Sequence, residues 1–310
     1  MIEIFYKTIP FFALIGLGYS AAITRFFSAE ATAYLTKFVF YFALSAMLFR
    51  FSSDLSLSEL YDPEFIYAYL SASLVIYFLA TAIAIFRKKA PSEAAVEAQC
   101  SVIGNVGFLG IPMLAILMGP DAVGFIMIIL AIDLIIFGSL IVLIIVASKD
   151  KKLDVFLFYR VLLGLTKNPM IVSIICGLLW SASGWSIPEP INDFVILLGS
   201  AATPGALFAI GASLAQKSTE RFEVAAWLSF CKLVLHPLAV CIAVFFIFEV
   251  EIYAATVMIA AASLPVAGNI FMVAHHYNVA PKRASAAIFL STVLSVFTVS
   301  FTIAWVSNLN

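Results

Sequence analysis

Two short stretches of this chain place glycine, asparagine and proline inside otherwise apolar runs. One reads Ser101-Val-Ile-Gly-Asn-Val-Gly-Phe-Leu-Gly-Ile-Pro112 and the other Ser263-Leu-Pro-Val-Ala-Gly-Asn269. Glycine is a poor helix residue and proline removes a backbone donor, so both runs are expected to break near their middles. A helix restarting after a break begins with N–H groups that lack intrahelical acceptors, and its dipole presents partial positive charge there. Two such ends, after Gly104 and after Pro265, suit a small organic anion without any cofactor or metal. Asn105 can offer an amide donor to a carboxylate or a carbonyl to a cation such as Na⁺. The missing β-carbons of Gly104 and Gly107 let a ligand approach the backbone. Val106, Val266 and Asn269 complete the expected binding set. A pair of packing kinks is the plainer alternative for either stretch taken alone.

A few polar side chains deep in other runs are candidates for coupling or gating. Asp133 has apolar neighbours on both sides, and an intramembrane carboxyl marks an ion path, a proton relay or an internal pair. It is a candidate for H⁺ or Na⁺ coupling, the latter together with Asn105; the alternative is a permanently protonated structural residue. Lys232 and His236 share a helix face one turn apart. Lys232 can snorkel to headgroups or act as counter-charge to Asp133 or the substrate. His236 can titrate near neutral pH or simply pack. Ser291, Ser295 and Thr298 recur at helical spacing and are expected to face the interior. Ser45 and Thr203, the latter beside Pro204, are expected on the opposite side of the cavity.

The elements that must hold these residues are set by composition. Hydrophobic residues make up 64% of 310 and charged ones 11%, with a mean hydropathy of +1.10. Soluble domains carry roughly 25% charged residues, so the solvent here is largely lipid. A bilayer core of about 30 Å needs about 20 apolar residues per helix. Such runs fall near 8–24, 33–51, 64–86, 94–118, 122–147, 168–184, 190–214, 223–248, 251–277 and 283–306, so ten spans are expected. Val155–Leu163 alternates apolar and charged residues, as an interfacial helix or a plain loop would. With both termini outside, every Lys and Arg except Lys7 and Arg50 falls inside, as positive-inside orientation requires. A net charge of −1 excludes a nucleic-acid partner, which needs a basic face. Cys100, Cys176, Cys231 and Cys241 are dispersed in apolar runs, without metal or disulfide spacing.

The halves echo each other at an offset near 159. Leu74–Ala80 resembles Leu233–Ala239, Ala46–Phe49 resembles Gly205–Phe208, and Lys7 with Pro10 recurs as Lys167 with Pro169. Five spans per unit invert the second copy, an architecture found in alternating-access transporters with midplane sites.

At Gly104-Asn105 with Gly110-Ile-Pro112, at Leu264-Pro265 with Ala274-His-His-Tyr-Asn278, and at Ser291–Ser295, the chain resembles the auxin efflux carrier family. The likeness covers nearly its whole length. It implies an all-α fold like that of the bile acid/sodium symporters: two inverted five-helix repeats with spans four and nine crossing as broken helices. It further implies scaffold helices in 1–62 and 168–220, mobile core helices in 63–148 and 221–310, and a cytoplasmic linker at 149–167. Elevator-like movement, a homodimer through the scaffold, membrane lipid contacts and residence in the cell inner (plasma) membrane follow from the same likeness. Plant members have Pro immediately before the span-four Asn, where this chain has Gly104. That departure predicts a softer break and does not imply auxin as substrate. A sodium-coupled organic-anion symporter is the alternative within this architecture. An intramembrane enzyme would need HExxH, GxGD or a paired-Asp motif, and none occurs.

Overall fold

The computed structural model describes residues 2–54, 62–150, 163, 166–215 and 222–309. In chain order its helices are α1 (Ile2–Ile23), α2 (Ala29–Ser53), α3 (Pro63–Phe86), α4 (Pro91–Val102), α5 (Val106–Met118), α6 (Ala122–Ser148), α7 (Pro169–Ser183), α8 (Glu189–Leu214), α9 (Phe222–Ile247), α10 (Ile252–Ala262), α11 (Asn269–His276) and α12 (Pro281–Val306). Helices α2, α3, α6, α8, α9 and α12 are long and apolar enough to cross a membrane, while α5, α7, α10 and the Thr8–Ile23 part of α1 are apolar but shorter. Phe86 and Phe246 stand 86% and 82% exposed, a surface stable only against lipid. The chain is an all-helical, multi-pass membrane protein. The proposed interfacial helix at 155–163, apart from Leu163, and the inside charges Lys151, Lys152, Arg160, Lys217 and Arg221 lie outside the described residues.

Helix starts follow local chemistry. Asp62 accepts from the Phe65 N–H at 3.2 Å with Pro63 in the first turn, and Asn168 accepts from Met170 at 3.0 Å ahead of Pro169. Glu251 accepts from both Tyr253 and Ala254. Each cap satisfies an orphan donor and contributes about 1 kcal/mol. Runs 94–118 and 251–277 do not continue as single helices: the first stops at Val102 and restarts at Val106, the second stops at Ala262 and restarts at Asn269.

Packing differs across the molecule. Along α1 and α8, backbone lies on backbone. A β-carbon on Gly18 would stand 2.0 Å from the Phe208 carbonyl oxygen, and one on Gly211 1.9 Å from that of Ile15. Helix α7 packs along α2. Elsewhere α3 packs on α4 and α9, α4 on α6, α6 on α10 and α9 on α12. π turns widen α2 at Val39–Ala43, α5 at Val106–Gly110, α6 at Asp133–Phe137 and α9 at Cys231–Leu235 and Ala243–Ile247. Such turns recur at functional sites.

A buried ion cluster ties the starts of α4 and α12 to the end of α3. Glu97, fully buried, accepts from Arg87 and, at 2.8 Å, from Arg283, which also reaches Glu93 at 3.3 Å. Arg87 and Arg283 therefore serve a buried structural partner.

Candidate functional site

The two interruptions meet. After α4 the chain extends through Ile103 (φ −79°, ψ 115°), and Gly104 forms an isolated antiparallel bridge with Val266. The Asn105 N–H donates to the Pro265 carbonyl at 2.8 Å, and the Ala267 N–H donates to that of Ile103 at 3.0 Å. Each broken segment thus satisfies part of the other's exposed backbone, which lipid could not do. Gly104 leaves room for a neighbouring side chain: a β-carbon there would stand 3.3 Å from the Lys232 Cε.

Not every N–H at the restarts is free. The Val266 N–H donates to Ser291 Oγ at 3.1 Å, and that of Val106 folds back on the Gly104 carbonyl at 2.8 Å. Among the described residues, the N–H groups of Gly107, Phe108, Gly268 and Asn269 find no acceptor. All four residues line one cavity, of about 350 Å³ counting the part open to solvent. Gly104, Asn105, Val106 and Asp133 line it too, whereas Pro265, Val266, Ser291 and Ser295 stand behind it and Ser45 and Thr203 do not reach it. Ser295 donates to the Thr292 carbonyl at 2.7 Å and Ser45 to that of Phe40 at 3.2 Å.

The cavity carries acceptors as well as donors. Asn269 Oδ1 and Asp133 Oδ2 are buried without a hydrogen-bond partner. The other Asp133 oxygen accepts from the Tyr69 hydroxyl at 2.9 Å, so α3 fixes the carboxyl and leaves one oxygen for the cavity. Behind this wall, Lys232 is fully buried. It does not snorkel: its ammonium donates to the Ala262 carbonyl and lies 3.1 Å from His236 Nδ1. A cation at the last residue of α10 opposes the negative end of that helix dipole and is close enough to act electrostatically on Asp133. His236 Nε2 pairs with Ser73 Oγ at 2.9 Å, and its ring meets the Tyr69 ring edge-on at 5.8 Å. His236 therefore has both ring nitrogens engaged and stands one residue removed from the cavity.

Sequence reasoning missed Tyr69, Ser73, Phe108, Gly268 and Glu97. Tyr69 and Ser73 are four apart in α3, so their shared face was visible, but the partners on it were not.

The interrupted helices of this membrane protein enclose a cavity in which Asn105, Asp133 and Asn269 stand among mostly apolar neighbours. The family model described as membrane transport protein matches residues 3–303, and the chain belongs to this family, the auxin efflux carriers. It is also similar to the protein named "Putative malonate transporter" of Rhizobium meliloti (strain 1021), at 30% identity over 303 residues covering 97% of this chain and 95% of the relative.

Proposed function

We propose that the chain carries a small organic anion, a short dicarboxylate of the malonate class, bound at the crossing of the two broken helices. The observation that carries this reading is the convergence of four unpaired N–H groups and the Asn105 amide on one cavity. In low-dielectric surroundings such fixed donors bind a carboxylate strongly. The name of the malonate relative supports the substrate class. Of the residues expected at the site, Asn105 and Asn269 contact the ligand and Gly104 and Gly107 line the cavity. Val106, Pro265, Val266, Ser291 and Ser295 hold the crossing in shape, with Ser45 and Thr203 on the carrier's stationary part.

Movement is of the elevator kind. Within two inverted five-span repeats over ten spans, the core helices α3–α6 and α9–α12 travel against the scaffold helices α1, α2, α7 and α8, through which two copies pair. Both termini face outward from the cell inner membrane. Thermal shift of the purified protein with a panel of short carboxylates tests the site. Malonate raises the melting temperature saturably, and Asn105→Ala moves that shift to roughly 10- to 100-fold higher malonate; an unchanged saturable shift in the variant removes Asn105 from the site.

A second coupling reading, Na⁺ symport, is favoured by one observation: Asp133 Oδ2 and Asn269 Oδ1 are unpartnered oxygens on the same cavity, the ligand type a hard cation takes. A melting shift with Na⁺ that K⁺ does not produce would support it.

A further inference from the structure

Asp133 is an unusual residue for the wall of an anion site. It is 3% exposed, one oxygen is held by Tyr69, and the other is unpartnered, on a residue that shares its cavity with the unpaired N–H groups. Two carboxylates brought together away from water cannot both keep their charge; such pairs share one proton. A dicarboxylate entering this cavity meets that situation at one end and the N–H groups at the other.

We propose that the complex holds one proton between the Asp133 carboxyl and one ligand carboxyl, while the second ligand carboxylate takes the N–H groups of Gly107, Phe108, Gly268 and Asn269. The substrate is thus bound as a hydrogen-dicarboxylate, a monoanion, and Asp133 is the residue that selects it. The inference rests on the dicarboxylate reading above. Charge balance supports it independently. Lys232 and Asp133 offset each other, and two helix N-termini supply roughly +0.5 each, enough for one negative charge and not two.

The groups around Asp133 leave it as the proton's partner. From α3, Tyr69 donates to the oxygen already used; from α9, Lys232 opposes its charge, with His236 beyond it against Ser73. From α5 and α11 the cavity receives the non-titrating Asn105 and Asn269, from α7 Met170, and from α6 itself Leu130 and Leu134. One consequence is that each dicarboxylate carries a proton with it, so transport responds to a proton gradient with no separate coupling-ion site.

Isothermal calorimetry on the purified full-length protein tests this in Na⁺-free potassium buffers of different ionisation enthalpy, at a pH well above the second ionisation of malonate. With Asp133 ionised in the free protein, as its offset by Lys232 requires, binding then takes up about one proton per malonate by linkage. Wild-type protein is expected to show that uptake, and Asp133→Asn to bind with almost none. Monomethyl malonate, which has no second carboxyl, is expected to bind wild type at least tenfold more weakly and without proton uptake; this arm decides if the variant does not fold. Malonate binding to wild type without proton uptake overturns the inference while leaving the carboxylate site standing, and undiminished uptake in Asp133→Asn or with the monoester also overturns it. Failure of wild type to bind any carboxylate sinks the dicarboxylate reading, and the inference with it.

Discussion

Where α1 meets α8, two backbones touch through Gly18 and Gly211. Where the broken helices meet, backbones also touch, through Gly104 and Val266, but donors and acceptors are left over. Both contacts depend on glycine for close approach. The first spends that closeness on van der Waals packing, which in lipid is a main source of helix association. The second spends it on a cavity whose unpaired groups cost stability unless a ligand or a neighbour meets them. A rigid wall and a reactive crossing are therefore built from the same residue type in different company.

Substitutions can break this comparison from either side. The largest effect is expected at the wall. Gly211→Leu forces side-chain atoms into the Ile15 carbonyl, and overpacking costs about 3 kcal/mol or more. The outcome is loss of the monodisperse peak in detergent chromatography, whereas substitutions at the crossing leave that peak intact. Next is Lys232→Met, which strips Ala262 and Asp133 of their cation. Loss of a hydrogen bond from a buried charged donor costs about 1.5–3 kcal/mol, and more where the acceptor is left unsatisfied. Thermal unfolding should fall accordingly, and combining it with Asp133→Asn should recover part of the loss, since neighbours are not additive.

Smaller still is Asn105→Ala. A hydrogen bond to a charged group contributes about 1.5–3 kcal/mol, so malonate affinity in calorimetry should drop roughly 10- to 100-fold while unfolding temperature barely moves. The smallest effect is expected for Ser291→Ala. It leaves the Val266 N–H without its acceptor and costs about 1–3 kcal/mol as an unsatisfied buried donor. Affinity for malonate falls less than with Asn105→Ala, because Ser291 stands behind the cavity. Equal losses of affinity from both variants would show that the crossing acts only as a rigid unit.

Much of this was legible in residue order. Apolar runs located the long helices, and the Gly, Asn and Pro clusters located both breaks, because backbone propensity is local and lipid magnifies its consequences. Asn105, Gly107, Asn269 and Asp133 were read as site residues and line the cavity. Ser45 and Thr203 do not line it, because matching positions in two repeats give correspondence and not what either position meets. Lys232 shows the same gap. Its distance from the end of α9 left snorkelling open, and only the arrival of Ala262 from another helix gives its ammonium a buried partner.

Composition and short-range chemistry alone determined that this chain lives in lipid, that it is helical, and where its helices must fail. Folding in three dimensions decided that the two failures would pair, which of their N–H groups would stay unspent, and that Tyr69 would hold one Asp133 oxygen and leave the other to the cavity. Those outcomes depend on residues far apart in sequence. Directional groups such as N–H and carboxyl reveal their use only when the partner's position is set.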